Sequence, residues 1–115
     1  MKDKVSEKDI EKYLVKKIKA LGGIAYKFIS PGNAGVPDRI VLLKHGMPIF
    51  VEMKAPGKES TALQQVQQKK ISDLGFWVEV IDSKQGVDEF IEMIETYERA
   101  MQSEIHTPRI SKVLH

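Results

Sequence analysis

At 115 residues, the chain is long enough for one domain whose hydrophobic core needs no covalent cross-links. It contains no cysteine, which excludes disulfide bonds and thiolate metal sites and suits a reducing, cytoplasmic compartment. No apolar run approaches the roughly 20 residues of a membrane span, so we expect no membrane partner. We expect residues 1–101 to form the domain and residues 102–115 to form a polar C-terminal tail.

The charged residues are unevenly distributed, although the formal net charge is only +2. Residues 88–98 contain five acidic side chains and no base. Residues 27–58 contain two acids and five bases, namely Lys27, Arg39, Lys44, Lys54 and Lys58. A basic face of this kind can steer a phosphate backbone, so nucleic acid is a candidate partner.

The first predicted element is a helix that begins after Ser6 and ends near Leu21. Ser6 is a good N-cap, Asp9 stands at the third helical position as in a capping box, and two glycines follow Leu21. The spacing of the apolar residues by three and four predicts one buried face, formed by Ile10, Tyr13, Leu14, Ile18 and Leu21.

Two glutamates of this helix, Glu7 and Glu11, fall on its apolar arc. A carboxylate in that position must be paired or bound to a cation, because burying it alone is costly. Glu7 has an ordinary explanation, since acids in a first helical turn complement the helix dipole. Glu11 has none, so it is the favoured candidate for a metal ligand, with Glu7 as the alternative.

Residues 24–29 alternate as expected for a strand, and residues 30–35 have the composition of a loop. Backbone N–H groups of such a loop can hold a phosphate, although a plain connecting loop is the alternative. On this basis we expect Lys27 and Ser30 to contact the phosphate backbone of a nucleic acid, together with Arg39 and Lys58 from the basic segment. No Gly-Lys-Ser/Thr sequence ends the loop, so it is not a P-loop.

The next stretch predicts a β-hairpin, with apolar runs at residues 40–43 and 49–51 joined by a turn at His45-Gly46. In a hairpin centred on His45, Asp38 and Glu52 are equally far from the turn and face each other, at roughly 5 Å between Cβ atoms. Lys54 points to the same face as Glu52. Two opposed carboxylates destabilise a sheet unless something positive lies between them, and a divalent metal ion would serve.

The rest of the chain predicts a helix, a strand and a final helix. The helix is capped by Ser60 or Thr61 and ends at Leu74, with Leu63, Val66, Ile71 and Leu74 on its buried side. A strand at residues 76–81 and a helix from about Val87 follow, and the latter turns Val87, Phe90, Ile91, Ile94 and Tyr97 inward. The order α-β-β-β-α-β-α predicts an α/β domain with a mixed central sheet flanked by helices, in which the last strand runs parallel to an earlier one.

The hairpin and its surroundings resemble a known nuclease family. The sequence has Pro37-Asp38, then thirteen residues, then Glu52-Met53-Lys54, which is similar to the PD-(D/E)xK superfamily. The stretches G-V-P-D-R-I-V-L-L and F-V-E-M-K-A-P-G-K, followed by a glutamine-bearing helix, resemble the VRR-Nuc family, especially its small stand-alone phage and bacterial members. The resemblance extends from Ser6 to Ile81 and implies a restriction-endonuclease-like core.

This resemblance also implies roles for individual residues. Asp38, Glu52 and the backbone carbonyl of Met53 would bind Mg²⁺ or Mn²⁺, with Glu11 completing the shell. Lys54 would act on the attacking water and on the charge that develops at the phosphate. The resemblance selects Gln64 as the supporting glutamine, whereas helical periodicity favours Gln67, and Gln68 lies beside them.

The expected activity is therefore hydrolysis of DNA phosphodiester bonds by a divalent-metal-dependent endonuclease. No Ser, Cys or His constellation offers covalent catalysis, which leaves metal activation of water. The alternative is a DNA-binding module whose nuclease site is vestigial or needs a partner. The resemblance further implies branched DNA, such as four-way junctions or flaps, as substrate for a homodimer, with residues 97–101 and the tail as the candidate interface.

Overall fold

The computed structural model describes residues 4–44 and 46–102. Its elements follow the predicted α-β-β-β-α-β-α order. They are α1 (Glu7–Ala20), β1 (Ile24–Lys27), β2 (Arg39–Leu42), β3 (Ile49–Met53), α2 (Ala62–Asp73), β4 (Trp77–Ile81) and α3 (Lys84–Ala100). Among the described residues, no helix is both long and apolar enough to cross a membrane. The expected tail, apart from Gln102, lies outside the described residues.

The four strands form one mixed sheet in the order β1-β2-β3-β4. β1, β2 and β3 pair antiparallel, and β4 pairs parallel to β3 after the crossover through α2. This arrangement confirms the predicted mixed sheet and the parallel last strand. The register of β2 with β3 pairs Val41 with Ile49 and Arg39 with Val51, as expected for a hairpin centred on residue 45.

The hydrophobic core lies between one face of the sheet and the helices α1 and α3. Eleven buried apolar residues form it: Ile10, Leu14 and Ile18 of α1, Val41, Ile49, Val51, Met53 and Ile81 of the strands, and Val87, Phe90 and Ile94 of α3. The apolar spacing in the sequence therefore predicted which face of α1 and of α3 packs on the sheet. The ring of Trp77 adds an edge-to-face contact with Phe90, at 5.6 Å between ring centroids.

Helix α2 lies on the opposite face and contributes no buried residue. The prediction of its buried side was wrong for three residues, because Leu63, Val66 and Leu74 are 51%, 50% and 77% exposed, whereas Ile71 is half-buried. No further layer of the described chain covers this helix, so only its sheet-facing side is shielded. Here the sheet presents a cluster of aromatic rings, in which Phe50 contacts both Phe28 and Phe76 at 5.8 Å between centroids.

Local capping explains where the helices begin. Ser6 and Asp9 form the predicted capping box of α1, since each side chain accepts the other residue's backbone N–H. Thr61, one of the two residues proposed from the sequence, caps α2. Helix α3 begins about one turn earlier than predicted, because the hydroxyl of Ser83 accepts the N–H of Gly86. The apolar pattern that starts at Val87 could not reveal this polar first turn.

Candidate active site

The end of the β2–β3 pair brings Asp38 and Glu52 together. Arg39 pairs with Val51, so Asp38 stands one step beyond the last pair and level with Glu52. The N–H of Met53 donates to Oδ1 of Asp38 at 3.0 Å, which fixes this carboxylate against β3. The opposition of the two acids, predicted from the symmetry of the hairpin, is thus present in the structure.

Glu52 is the one charged residue with a buried side chain among the described residues, at 3% exposure. Gln64 Nε2 donates to its Oε2 at 3.3 Å, whereas its buried Oε1 has no hydrogen-bond partner. Burial, and then the nearby Asp38 carboxylate, raise the pKa of Glu52 to about 7. A buried carboxylate oxygen without a partner is costly, so this atom is suited to a cationic ligand.

Burial also raises the pKa of Asp38 above its ordinary value. The hydrogen bond from the N–H of Met53 opposes this rise, and the charges of Glu11 and Glu7 add to it. The Asp38 carboxylate therefore destabilises the charged form of Glu52, and the Lys54 ammonium opposes this effect on the pKa of Glu52 only in part.

Lys54 and Gln64 complete the polar cluster. Lys54 Nζ donates to Oε1 of Gln64 at 2.6 Å, and the same amide donates through Nε2 to Glu52. Gln64 thus bridges the ammonium group and the buried carboxylate. Its Oε1 also accepts the N–H of Thr61 at 2.9 Å in the capping box of α2. The start of α2 is therefore joined to the end of β3.

Among the three glutamines considered from the sequence, Gln64 is the one in contact with this cluster. Gln68 donates instead to the hydroxyl of Ser60 at 2.9 Å, and Gln67 lies beside Phe28 and Phe50. The capping box that orients Gln64 was missed in the sequence, although Thr-x-x-Gln before a helix is a readable signature of one.

The two first-helix glutamates lie in different surroundings. Glu11 Oε2 accepts from Nε of Arg39 at 3.1 Å in an ion pair that is largely shielded from solvent. Glu11 is therefore paired, which is one of the two outcomes that its place on the apolar arc requires, and its role as a metal ligand stays a prediction. Glu7 is exposed, and its charge raises the pKa of both Asp38 and Glu52. Of the two, Glu7 is the one that is free to turn toward the carboxylate pair.

Among the described residues, no group of three or more His, Asp or Glu side chains is arranged to hold a metal ion. The carboxylates of Asp38 and Glu52 form a two-residue set of hard oxygen donors, which is the donor type that Mg²⁺ and Mn²⁺ prefer. The unpartnered Oε1 of Glu52 fits such a cation. A Mg²⁺ ion keeps several waters, so two carboxylates and a backbone carbonyl are a sufficient protein contribution.

The four residues expected to bind DNA do not form one surface. Lys27 and Arg39 line a groove beside α1, where Arg39 is tied to Glu11 and to the carbonyl of Ala25 at 2.8 Å. Ser30 lies on the α2 side of the sheet and accepts from Nδ2 of Asn33 at 2.9 Å. Lys58 is exposed in the turn after β3. Arg39 is therefore a partly buried cation that is already paired, and its contact with DNA stays a prediction.

The fold and this site together define a class of protein. A mixed sheet flanked by helices, with Asp38, Glu52 and Lys54 at the end of a β-hairpin, is the arrangement of the PD-(D/E)xK nuclease superfamily. No family model matches the chain. It is 50% identical over 80 residues to a phage protein named "Putative nuclease p44", from Acyrthosiphon pisum secondary endosymbiont phage 1, and the match spans 70% of this chain and 86% of the relative.

A solved structure described as a VRR_NUC domain is similar throughout the fold. The two superpose with a TM-score of 0.71 at 32% sequence identity, covering 75% of this chain and 94% of the other. The chain belongs to the VRR-Nuc family. The resemblance stated from the sequence is thereby confirmed, and so is the restriction-endonuclease-like core.

Proposed function

We propose that the protein is a divalent-metal-dependent endonuclease that hydrolyses phosphodiester bonds of DNA. The observation that carries the proposal is the buried Glu52 carboxylate, with one oxygen unpartnered, level with Asp38 and two residues before Lys54. If these groups were only structural, the Lys54 ammonium, which is hydrogen-bonded to Gln64, would be the one nearby positive charge among the described residues to offset the two acids. The binding of a cation explains why they are held together.

In this proposal, Asp38 and Glu52 hold the cation, and the carbonyl of Met53 can add a ligand. A divalent ion, when bound, supplies a Lewis acid for the phosphate and lowers the pKa of water. Glu52 must lose its proton to bind a cation, so its raised pKa makes cation binding weaker at low pH. Glu7 is the alternative third ligand, because it is exposed and its charge acts on both carboxylates.

Lys54 places a positive charge beside the carboxylates, and Gln64 orients it by accepting a hydrogen bond from its ammonium group at 2.6 Å. From this position the ammonium group can donate to the attacking water and stabilise the charge that develops on the phosphate. The capping box at Thr61 holds Gln64 in turn, so Gln64 positions Lys54 rather than acting on the substrate itself.

The test is cleavage of linear and branched DNA with Mg²⁺, with Mn²⁺ and with EDTA. We expect cleavage with either metal, none in EDTA, and a loss of roughly 10²-fold or more in kcat for Lys54→Ala, as for other groups that stabilise developing charge. Lys70→Ala is the matched control, because Lys70 is exposed on α2 and should leave cleavage unchanged. Equal rates for wild type and Lys54→Ala would disprove the assignment.

The second candidate function is a non-catalytic DNA-binding module. The observation that favours it is that no third acidic side chain joins Asp38 and Glu52 in a metal-binding group among the described residues. Titration with Mn²⁺ separates the two functions. The endonuclease requires a Mn²⁺ site that is lost in Asp38→Asn and in Glu52→Gln. The module instead binds DNA equally well in EDTA and shows no carboxylate-dependent Mn²⁺ site.

We also propose branched DNA as the preferred substrate and a homodimer as the active form. Two chains related by a two-fold axis place two sites on symmetric strands, which one small domain cannot do. The candidate interface is the end of α3, where Tyr97 packs against Trp77 at 6.1 Å between centroids, together with the tail outside the described residues. Sedimentation of the full chain and of a chain ending at residue 102 tests the dimer. Cleavage of linear duplex at the same rate as branched DNA would contradict the proposed substrate preference.

A further inference from the structure

Four lysines of α1 form a stripe along one side of the helix. At about 100° per residue, Lys8, Lys12, Lys16 and Lys19 fall within an arc of about 80°. All four are exposed, and none makes an ion pair or a hydrogen bond among the described residues. They span about 16 Å along the helix axis, at 1.5 Å per residue.

The stripe forms one wall of a groove. The four lysines, with Val15 between them, line it together with Lys27 and Arg39 from the neighbouring strands. The groove holds one acid, Glu11, which is already paired with Arg39 at 3.1 Å. Five lysines therefore line the groove against one acid, while the charge of Asp9 also acts on Lys12 from outside the groove lining.

On the opposite side of α1, a lysine is paired with an acid of α3. Lys17 lies 4.0 Å from the carboxylate of Asp88 on α3, and the hydroxyl of Tyr13 donates to the same carboxylate at 2.6 Å. The acids of α3 are thus available to lysines on that side only. The difference between the two sides of α1 is the charge asymmetry expected when one side meets an external polyanion.

The groove begins beside the candidate active site. Arg39, one of the residues that line it, directly follows Asp38, and Glu7 precedes Lys8 in the chain. The charge of Glu7 acts on both Asp38 and Glu52, so the N-terminal end of α1 is close to the carboxylate pair. A phosphate backbone that leaves the site in this direction meets successive lysines for about half a turn of B-DNA, which repeats every 34–36 Å.

We propose that this stripe, Lys8, Lys12, Lys16 and Lys19 with Lys27 opposite, is a docking track for the DNA backbone that leads to or from the cleavage site. The identity of the polyanion rests on the proposed function. Lysine ammonium groups contact phosphates without reading bases, so the track supplies affinity and orientation and no sequence preference.

The experiment measures binding of a fluorescent 20-base-pair duplex in EDTA over a range of salt concentrations. The variant Lys12→Gln/Lys16→Gln/Lys19→Gln is compared with Lys69→Gln/Lys70→Gln/Lys84→Gln, which changes the net charge equally elsewhere. We expect the slope of log K against log salt to fall by about 2 to 3 for the stripe variant, at about 0.9 per phosphate contact. The control should keep the wild-type slope, and Lys→Arg at the three stripe positions should restore it.

Equal slopes for the stripe and control variants would overturn the proposal, as would tighter wild-type binding of poly-glutamate than of duplex. Because binding is measured in EDTA, the result is independent of metal-dependent cleavage. If wild type fails to cleave DNA with Mn²⁺ while the stripe variant still loses its salt slope, the proposed catalytic function fails and the docking track stands. If the stripe variant cleaves DNA as well as wild type at all salt concentrations, the docking track is refuted and the proposed catalytic function stands.

Discussion

Replacement of Glu52 by glutamine should stabilise the metal-free protein, and the gain should depend on pH. In the folded state the pKa of Glu52 is about 7, against an ordinary value of 4.5. Between these values the folded protein holds a proton that the unfolded chain releases, so stability is lost as the pH rises through about 7. The full loss corresponds to about 3 kcal/mol at 1.36 kcal/mol per pKa unit.

The glutamine variant carries no titrating proton and escapes this loss. In EDTA, its advantage over wild type should grow by about 2 kcal/mol between pH 5 and pH 8. Urea unfolding followed by the fluorescence of Trp77 measures the free energy of unfolding of both proteins. Glu59→Gln is the matched control, because Glu59 is exposed and should follow wild type at every pH.

A saturating concentration of Mn²⁺ should reverse the order of stability at pH 8. Cation binding to the folded wild type adds RT ln(1 + [L]/Kd) to its stability, whereas the variant lacks the second carboxylate. If wild type and Glu52→Gln show the same pH dependence in EDTA, the buried carboxylate does not carry this cost and the reasoning fails. If Mn²⁺ stabilises both equally, Glu52 is not a ligand.

Two further predictions concern α2 and the loop before Asp38. Gln64→Ala should lower kcat more than it raises KM, because it releases Lys54. Thr61→Ala should lose only the helix cap, about 1 kcal/mol in urea unfolding, with kcat nearly unchanged. Equal kcat values for the two variants would refute the positioning role of Gln64. Gly35→Ala should be more destabilising than Gly32→Ala, since both have positive φ angles, 89° and 81°, but only at Gly35 does a Cβ meet another atom, the Leu63 carbonyl oxygen at 2.9 Å. Equal melting temperatures for the two alanine variants would contradict that steric argument.

The sequence predicted those features that depend on local pattern. The hairpin register followed from the symmetry of its two apolar runs about residue 45, and this register alone sets Asp38 level with Glu52. The buried faces of α1 and α3 followed from helical spacing, since both helices pack on the same side of the sheet. Whether Asp38 and Glu52 bind metal remains a prediction, because their arrangement shows suitability and not occupancy.

The features that the sequence did not reveal depend on contacts between distant residues. The ion pair of Glu11 with Arg39 joins positions that are 28 residues apart, and nothing in the pattern of α1 indicates this partner. Three apolar residues at α2, Leu63, Val66 and Leu74, were wrongly predicted to be buried, because periodicity shows which side of a helix is apolar but not whether another layer covers it. The side chain of Gln64 is held by the N–H of Thr61 in the helix cap and by Glu52 on β3. Helical periodicity detects neither contact, so it favoured Gln67, one turn further along α2.

The thin packing of α2 has a consequence for local unfolding. This helix buries no residue completely, and Gln64 ties its first turn to Glu52 and Lys54 through polar contacts. Segments with few buried apolar contacts open at lower free energy than the global unfolding of a domain. Amide hydrogens of residues 65–74 should therefore exchange with solvent earlier than those of α1 and α3. Each opening detaches Gln64 from the carboxylate pair, so the protein can lose its assembled site while its sheet and core remain folded.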